Sequence, residues 1–202
     1  DVLFDALRLQ GARDTRDSLF YSFGLHLNPQ VANTDTADLL AHLRAYLLLA
    51  GWLREVIDID ITREVLPHAN PFPKEYACQV LAADYHPDLD TLIGDYIAAN
   101  PTRNRELDMF PLFAYLRPDY PNALLSEKLV KPRPTFHYRL PNAQLSQPGW
   151  SAVTEWNRWV EVERLAADSQ RLAECSAAYI EHYRHSPLSR WLGRLNKWMT
   201  SP

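Results

Sequence analysis

Basic and titratable side chains concentrate in residues 131–142, the part of the chain best suited to chemistry. In order, this segment carries Lys131, Arg133, His137 and Arg139. A guanidinium group binds phosphate or carboxylate through two parallel hydrogen bonds, and an imidazole can bind a metal ion or exchange a proton. The segment is therefore a candidate site for a ligand that carries a phosphate or a carboxylate.

The order of residues 135–140 predicts a strand that presents two of these groups together. Side chains alternate along a strand, so one face carries Thr135, His137 and Arg139, and the other carries Phe136, Tyr138 and Leu140. We expect the apolar face to pack in the core and the other face to hold an imidazole beside a guanidinium group. By pattern alone, a solvated face whose arginines pair with surface acids explains the same residues.

Two other segments carry similar groups. His26 and Asn28 lie two residues apart in an alternating stretch, which places an imidazole and an amide on one face of a predicted strand. In the loop at residues 100–105, Arg103 precedes Asn104. Both segments also have an explanation without a function. The first is explained by a hydrogen-bonded histidine on a half-buried strand, and the second by a solvated basic turn.

Taken in order, these three segments resemble the amidoligase family of bacterial proteins. The resemblance runs from about residue 18 to residue 168. Its most specific strings are Phe-His-Tyr-Arg-Leu-Pro-Asn at residues 136–142 and Trp-Asn-Arg-Trp-Val-Glu at residues 156–161. That family is similar to glutamine synthetase and glutamate–cysteine ligase, which join a carboxylate to an amine.

The resemblance extends to single positions. Glutamine synthetases have a Gly-x-His-x-His strand with a metal ligand and a nucleotide contact, and here His26 matches the first histidine while Asn28 stands in place of the second. Their Asn-Pro-Thr turn matches residues 100–102. Their late strand has the form Arg-x-Glu-x-Arg-x-Pro-Asp, in which Arg139 matches the second arginine and His137 replaces the glutamate.

The resemblance implies an ATP-dependent ligase that forms an amide bond through an acyl phosphate. ATP and Mg²⁺ would be its cofactors, and its substrates would be a carboxylate and an amine, as small molecules or peptides. The expected catalytic residues are Arg139, Arg133 and His137, the expected metal ligands are His26 and His137, and the expected cofactor contacts are Asn28, Arg103, Asn104 and Lys131. Two alternatives remain open: a non-catalytic ligase domain that binds a carboxylate or a phosphate, and a helical scaffold or interaction protein.

Helical periodicity dominates the rest of the chain. We predict helices at residues 1–10, 36–56, 74–82, 87–99, 107–116, 150–167 and 169–184, and strands at residues 19–29 and 135–140. The expected class is α+β, a mainly helical chain around part of an antiparallel sheet. The resemblance implies the glutamine synthetase-like catalytic fold, incomplete at the N-terminus because that superfamily carries acidic metal-binding strands before its histidine strand.

Composition limits which functional classes and which cellular compartment suit the protein. The net charge of −4 argues against a nucleic-acid-binding protein, and no apolar run approaches the roughly 20 residues that cross a bilayer. The two cysteines have no metal-site spacing, which suits a reducing compartment, so we expect the cytoplasm. We expect one amidoligase-like domain over residues 1–185 and an amphipathic helix over residues 186–202, on which a partner or a missing N-terminal segment docks.

Overall fold

The computed structural model of the protein describes residues 2–12, 24–57, 69–147 and 149–185. Within these ranges the chain forms seven helices and a two-stranded antiparallel sheet. The helices are α1 (Val2–Leu9), α2 (Thr36–Ile57), α3 (Lys74–Leu81), α4 (Leu89–Ala99), α5 (Phe110–Leu116), α6 (Ala152–Ala167) and α7 (Ser169–His185), and the strands are β1 (Leu107–Asp108) and β2 (His137–Tyr138). The predicted α+β class, mainly helical, is confirmed, and the glutamine synthetase-like fold stays a prediction.

The long helix α2 lies at the centre of the core. Its middle part is apolar on nearly all sides, and Leu39, Leu43, Tyr46 and Leu53 are buried. Helices α6 and α7 pack against α2, and α3 packs against both α2 and α7. None of the helices in the described ranges is long and apolar enough to span a membrane.

Aromatic rings from two helices fix the orientation of β2. The ring of Trp159 in α6 is fully buried, 5.4 Å from the rings of both Phe136 and Tyr138. On α2, the ring of Tyr46 lies 5.7 Å from that of Tyr138. Tilted and edge contacts of this kind stabilise a core beyond the burial of their area. Because Phe136 and Tyr138 point into the core, the neighbouring His137 projects from the opposite face, as the alternation predicts.

Strand β2 is the middle one of three extended segments. On one side it pairs with β1, so that Leu107 lies opposite Tyr138 and Asp108 lies opposite His137. On the other side, residues 24–30 approach residues 135–142 through the antiparallel bridges Gly24–Asn142, Leu27–Tyr138 and Gln30–Thr135. Three stretches that are distant in the sequence therefore meet around His137.

The prediction of a helix over residues 107–116 is wrong in its first part. Leu107 and Asp108 form β1, and the helix begins at Phe110 with Pro111 in its first turn. Proline is favoured there because the first helical N–H groups have no partner within the helix. The predicted strand at residues 19–29 is described only from residue 24, and the predicted helix at 186–202 lies outside the described residues.

Candidate active site

A polar cleft of about 590 Å³ lies beside β2, on the face opposite the aromatic rings. Its lining consists of His26, Pro101, Thr102, Arg103, Asn104, Leu124, Glu127, Leu129, His137 and Arg139. A volume of this size is typical of sites for small molecules and cofactors. The cleft therefore unites the three segments that the sequence singled out, although only their spatial meeting makes them one site.

Asn28 connects two of these segments through its side-chain oxygen. Arg133 donates to Asn28 Oδ1 from Nε at 3.0 Å and from Nη2 at 2.8 Å, and His137 Nδ1 lies 3.0 Å from the same oxygen. Arginine can only donate, so this oxygen is the acceptor and His137 must carry its proton on Nδ1. Nε2 of His137 then keeps its lone pair and can accept a hydrogen bond or bind a metal ion.

His137 is a neutral imidazole at physiological pH. Burial is the main cause that lowers the pKa of His137, and the nearby His26 and arginines lower it further, to about 3. The ring of His26 meets the ring of His137 edge to face, with centroids 5.0 Å apart. His137 therefore contributes hydrogen bonding or ligation to the cleft. The positive charge of the cleft comes from the arginines.

Three guanidinium groups lie close to His137: those of Arg103 and Arg139, which line the cleft, and that of Arg133, which binds Asn28. Arg139 Nη1 donates to the backbone carbonyl of Arg103, and Arg133 Nη1 donates to the carbonyl of Lys131 at 2.9 Å. Burial lowers the pKa of both Arg133 and Arg139, while the carboxylate of Asp108 raises it. Arginine still keeps its charge at neutral pH, so this region attracts anions.

Asp108 is a site residue that the sequence reasoning missed. This fully buried carboxylate lies opposite His137, its Oδ1 accepts the backbone N–H of Phe110 at 3.0 Å, and its Oδ2 lies 3.4 Å from Arg103 Nη2. Burial raises the pKa of Asp108 to about 6, although the hydrogen bond from Phe110 and the charges of Arg103 and Arg139 act in the opposite direction. Asp108 thus holds Arg103 at the edge of the cleft.

A second buried carboxylate ties the start of β1 to α2. Glu106 Oε2 lies 2.7 Å from Arg54 Nη2. Burial raises the pKa of Glu106 to about 7, and the attraction of Arg54 only partly offsets this effect. The alternation Glu-Leu-Asp-Met at residues 106–109 is the sequence signal that could have revealed both acids, because it has the period of a strand.

Two of the predicted cofactor contacts, Lys131 and Asn104, differ in their position relative to the cleft. Lys131 is exposed and does not line the cleft, so its contribution here is the backbone carbonyl that accepts from Arg133. Asn104 lines the cleft, and its own carbonyl accepts the backbone N–H of Asn70 at 2.6 Å. The loop at residues 100–105 is therefore held by backbone hydrogen bonds rather than being a free basic turn.

The described residues do not by themselves make a magnesium site. Mg²⁺ prefers oxygen ligands, whereas the cleft lining offers two imidazoles and a single carboxylate, that of Glu127. The buried carboxylate of Asp108 is already paired with Arg103. No group of three or more His, Cys, Asp and Glu side chains in the described ranges is placed to hold a metal ion. The metal-binding role of His26 and His137 stays a prediction.

Comparison with known proteins gives one match. A family model described as "Putative amidoligase enzyme" matches residues 1–161, which include both strands, the whole lining of the cleft and the first part of α6. Helix α7 follows the matched region. No curated protein and no solved structure matches the chain.

Proposed function

The chain belongs to the family of putative amidoligase enzymes, and on that premise we propose that it is an ATP-dependent ligase that joins a carboxylate to an amine. The substrates belong to the class of amino acids or peptides. The ATP requirement and the two free thiols of Cys78 and Cys175 favour the cytoplasm as the place of reaction.

The observation that carries this proposal is the cluster of three guanidinium groups around a neutral His137. In the first step, a carboxylate oxygen attacks the γ-phosphorus of ATP, the bond to the bridging oxygen breaks, and ADP leaves. In the second step, the amine nitrogen attacks the acyl carbon and the C–O bond to phosphate breaks. Two protons leave the ammonium nitrogen, one with the released phosphate and one to solvent.

Both steps collect negative charge on oxygen atoms, which fixed cations stabilise. We assign Arg139 and Arg103, which line the cleft, to the phosphate or carboxylate oxygens, with support from Arg133, which is held beside His137 by Asn28. Asn28 orients both Arg133 and His137 through its Oδ1. Asn104 is assigned to the nucleotide as a secondary contact, and the exposed Lys131 would contact only a part of the nucleotide that extends beyond the cleft lining. Mg²⁺ would accompany the nucleotide, since phosphate oxygens and water supply most of its ligands in such sites.

A second candidate function is a non-catalytic domain that holds a carboxylate or a phosphorylated ligand. The excess of guanidinium groups over carboxylates at the cleft suits this function as well, because attraction of an anion needs no turnover. It predicts that the protein binds ATP or a carboxylate but releases no ADP.

Release of ADP by the full-length protein separates the two functions. The assay would supply ATP, Mg²⁺, a set of amino-acid carboxylates and hydroxylamine, which traps an acyl phosphate as a hydroxamate. Replacement of Arg139 by Gln should reduce hydroxamate formation by about 100-fold, the usual loss when one preorganised donor to a transition-state oxyanion is removed. Arg139→Lys should restore part of the rate.

Arg164→Gln is the matched control, because this arginine is exposed on α6 and pairs only with Glu161 in the described part of the chain. It should leave the rate unchanged. Equal rates for wild type and Arg139→Gln would remove the basis of the assignment, and ATP binding without ADP release for every acid would favour the non-catalytic domain.

A further inference from the structure

The connector between α5 and β2 forms one wall of the cleft. Leu125 and Val130 are only 6% and 5% exposed and anchor this connector in the core. Between the anchors, the backbone N–H of Val130 donates to the carbonyl of Glu127 at 2.8 Å and closes a turn. The residues between the anchors are therefore held in place at the cleft.

Three side chains of this connector line the cleft: Leu124, Glu127 and Leu129. Leu129 is 72% exposed. A single exposed leucine is ordinary on a protein surface. Here, however, Leu129 shares the wall of a cleft with a second leucine and a carboxylate, so the wall offers both apolar contact area and a negative charge.

The charges of the cleft are divided between its two walls. Arg103 and Arg139 lie on the side of β2 and the loop at residues 100–105, and Glu127 lies on the connector. The arginines have other partners, since Arg103 pairs with Asp108 and Arg139 donates to a backbone carbonyl. Within the described ranges, the carboxylate of Glu127 has no ion pair or hydrogen bond. The same cleft can therefore bind an anion at its arginines and a cation at Glu127.

We propose that Leu124, Glu127 and Leu129 form the subsite for the amine substrate. Glu127 pairs with the ammonium group, and the two leucines contact the carbon chain that carries it. The substrate class is then a primary amine on an aliphatic chain rather than free ammonia, which has no carbon atoms for the leucines to contact. This subsite rests on the proposed ligase function, and it names the second substrate of that reaction.

Binding of butylammonium, formed from n-butylamine at neutral pH, tests the subsite without turnover. The full-length protein would be titrated by NMR in the presence of pyrophosphate, which occupies the cationic side. We expect the backbone amides of residues 123–130 to shift. Glu127→Gln keeps the shape of this exposed side chain and should weaken butylammonium binding about fivefold, the effect of losing one solvent-exposed ion pair. Leu129→Ala should also weaken it.

Two controls make the result specific. Asp119→Asn removes an exposed carboxylate from the same connector, outside the cleft lining, and should leave binding unchanged. The neutral 1-butanol should bind wild type and Glu127→Gln equally. Two results would overturn the subsite even if the protein releases ADP. One is equal butylammonium affinity in wild type and Glu127→Gln, and the other is chemical-shift changes that are confined to residues outside 123–130. Binding as expected without ADP release for any acid would keep the subsite and reject the ligase function.

Discussion

Replacement of Asp108 by Asn should stabilise the fold at neutral pH and impair the reaction. Burial raises the pKa of Asp108 from its usual value of 3.8 to about 6. As the pH rises through this range, the unfolded chain loses the Asp108 proton before the folded chain does, so the folded state becomes less stable. Burial of Asp108 then lowers the free energy of unfolding by about 1 kcal/mol at pH 4.5, where the folded chain still holds the proton, and by about 3 kcal/mol at pH 7.5, where the buried carboxylate is ionised.

Asparagine resembles the protonated carboxyl group and avoids this cost. Its side-chain oxygen can still accept the N–H of Phe110, as Asp108 Oδ1 does at 3.0 Å. Asp108→Asn should therefore exceed wild type in free energy of unfolding by about 3 kcal/mol at pH 7.5 and by about 1 kcal/mol at pH 4.5. Release of ADP should fall, because Arg103 loses the charge that positions it.

Urea unfolding of both proteins at the two pH values measures the difference. The comparison with wild type cancels the titration of all other groups. Glu161→Gln is the control, because Glu161 lies on the surface of α6 in a pair with Arg164, and its effect should be within about 0.5 kcal/mol. If Asp108→Asn were less stable than wild type at pH 7.5 but not at pH 4.5, the carboxylate would be a net stabiliser, and the reasoning from burial would be wrong.

Three further predictions concern stability. The free energy of unfolding of Glu106→Gln, relative to wild type, should rise by about 3 kcal/mol between pH 4 and pH 8, because burial raises the pKa of Glu106 to about 7 despite Arg54. Urea unfolding at both pH values measures this change. Trp159→Ala should lower the free energy of unfolding by about 3–5 kcal/mol, because it empties a fully buried aromatic site. Urea unfolding followed by circular dichroism measures this loss, and a loss below about 1 kcal/mol would contradict the packing of Trp159 against β2. Ser151→Ala should lower the free energy of unfolding by about 1 kcal/mol, because Ser151 Oγ accepts the N–H of Thr154 at the start of α6. Ser151→Asp should keep the wild-type stability, and thermal melts of the three proteins check both expectations.

The helices and the orientation of β2 follow from local patterns in the sequence. Helix α2 has apolar residues at helical spacing over its whole length, and it is found at Thr36–Ile57. The alternation in residues 135–140 predicted that Phe136 and Tyr138 pack in the core, and both are buried. Such patterns are visible because each depends on the spacing of residues within one element.

The same kind of reasoning did not identify Asp108 and Glu127. The apolar residues Met109, Leu112, Phe113 and Leu116 recur at helical spacing, and the prediction extended that helix back over β1, which put Asp108 on the wrong element. Glu127 lies in a proline-rich connector, where no periodicity indicates which side chains face a cleft. The role of each acid depends on tertiary contacts, because β2 places His137 opposite Asp108 and Glu127 shares the cleft lining with His26. Spacing in the sequence does not reveal such contacts.

Transfer of oxygen from the carboxylate substrate to phosphate tests the central claim most directly. The full-length protein would be supplied with ATP, an amine and the acid that gives the fastest ADP release, with ¹⁸O in both carboxylate oxygens. A reaction through an acyl phosphate leaves one ¹⁸O atom in each phosphate released and the other in the amide, and mass spectrometry of both products measures it. We predict this transfer for wild type, and in Arg139→Gln we predict that ADP and labelled phosphate form together about 100-fold more slowly. Phosphate released without ¹⁸O would contradict the ligase mechanism.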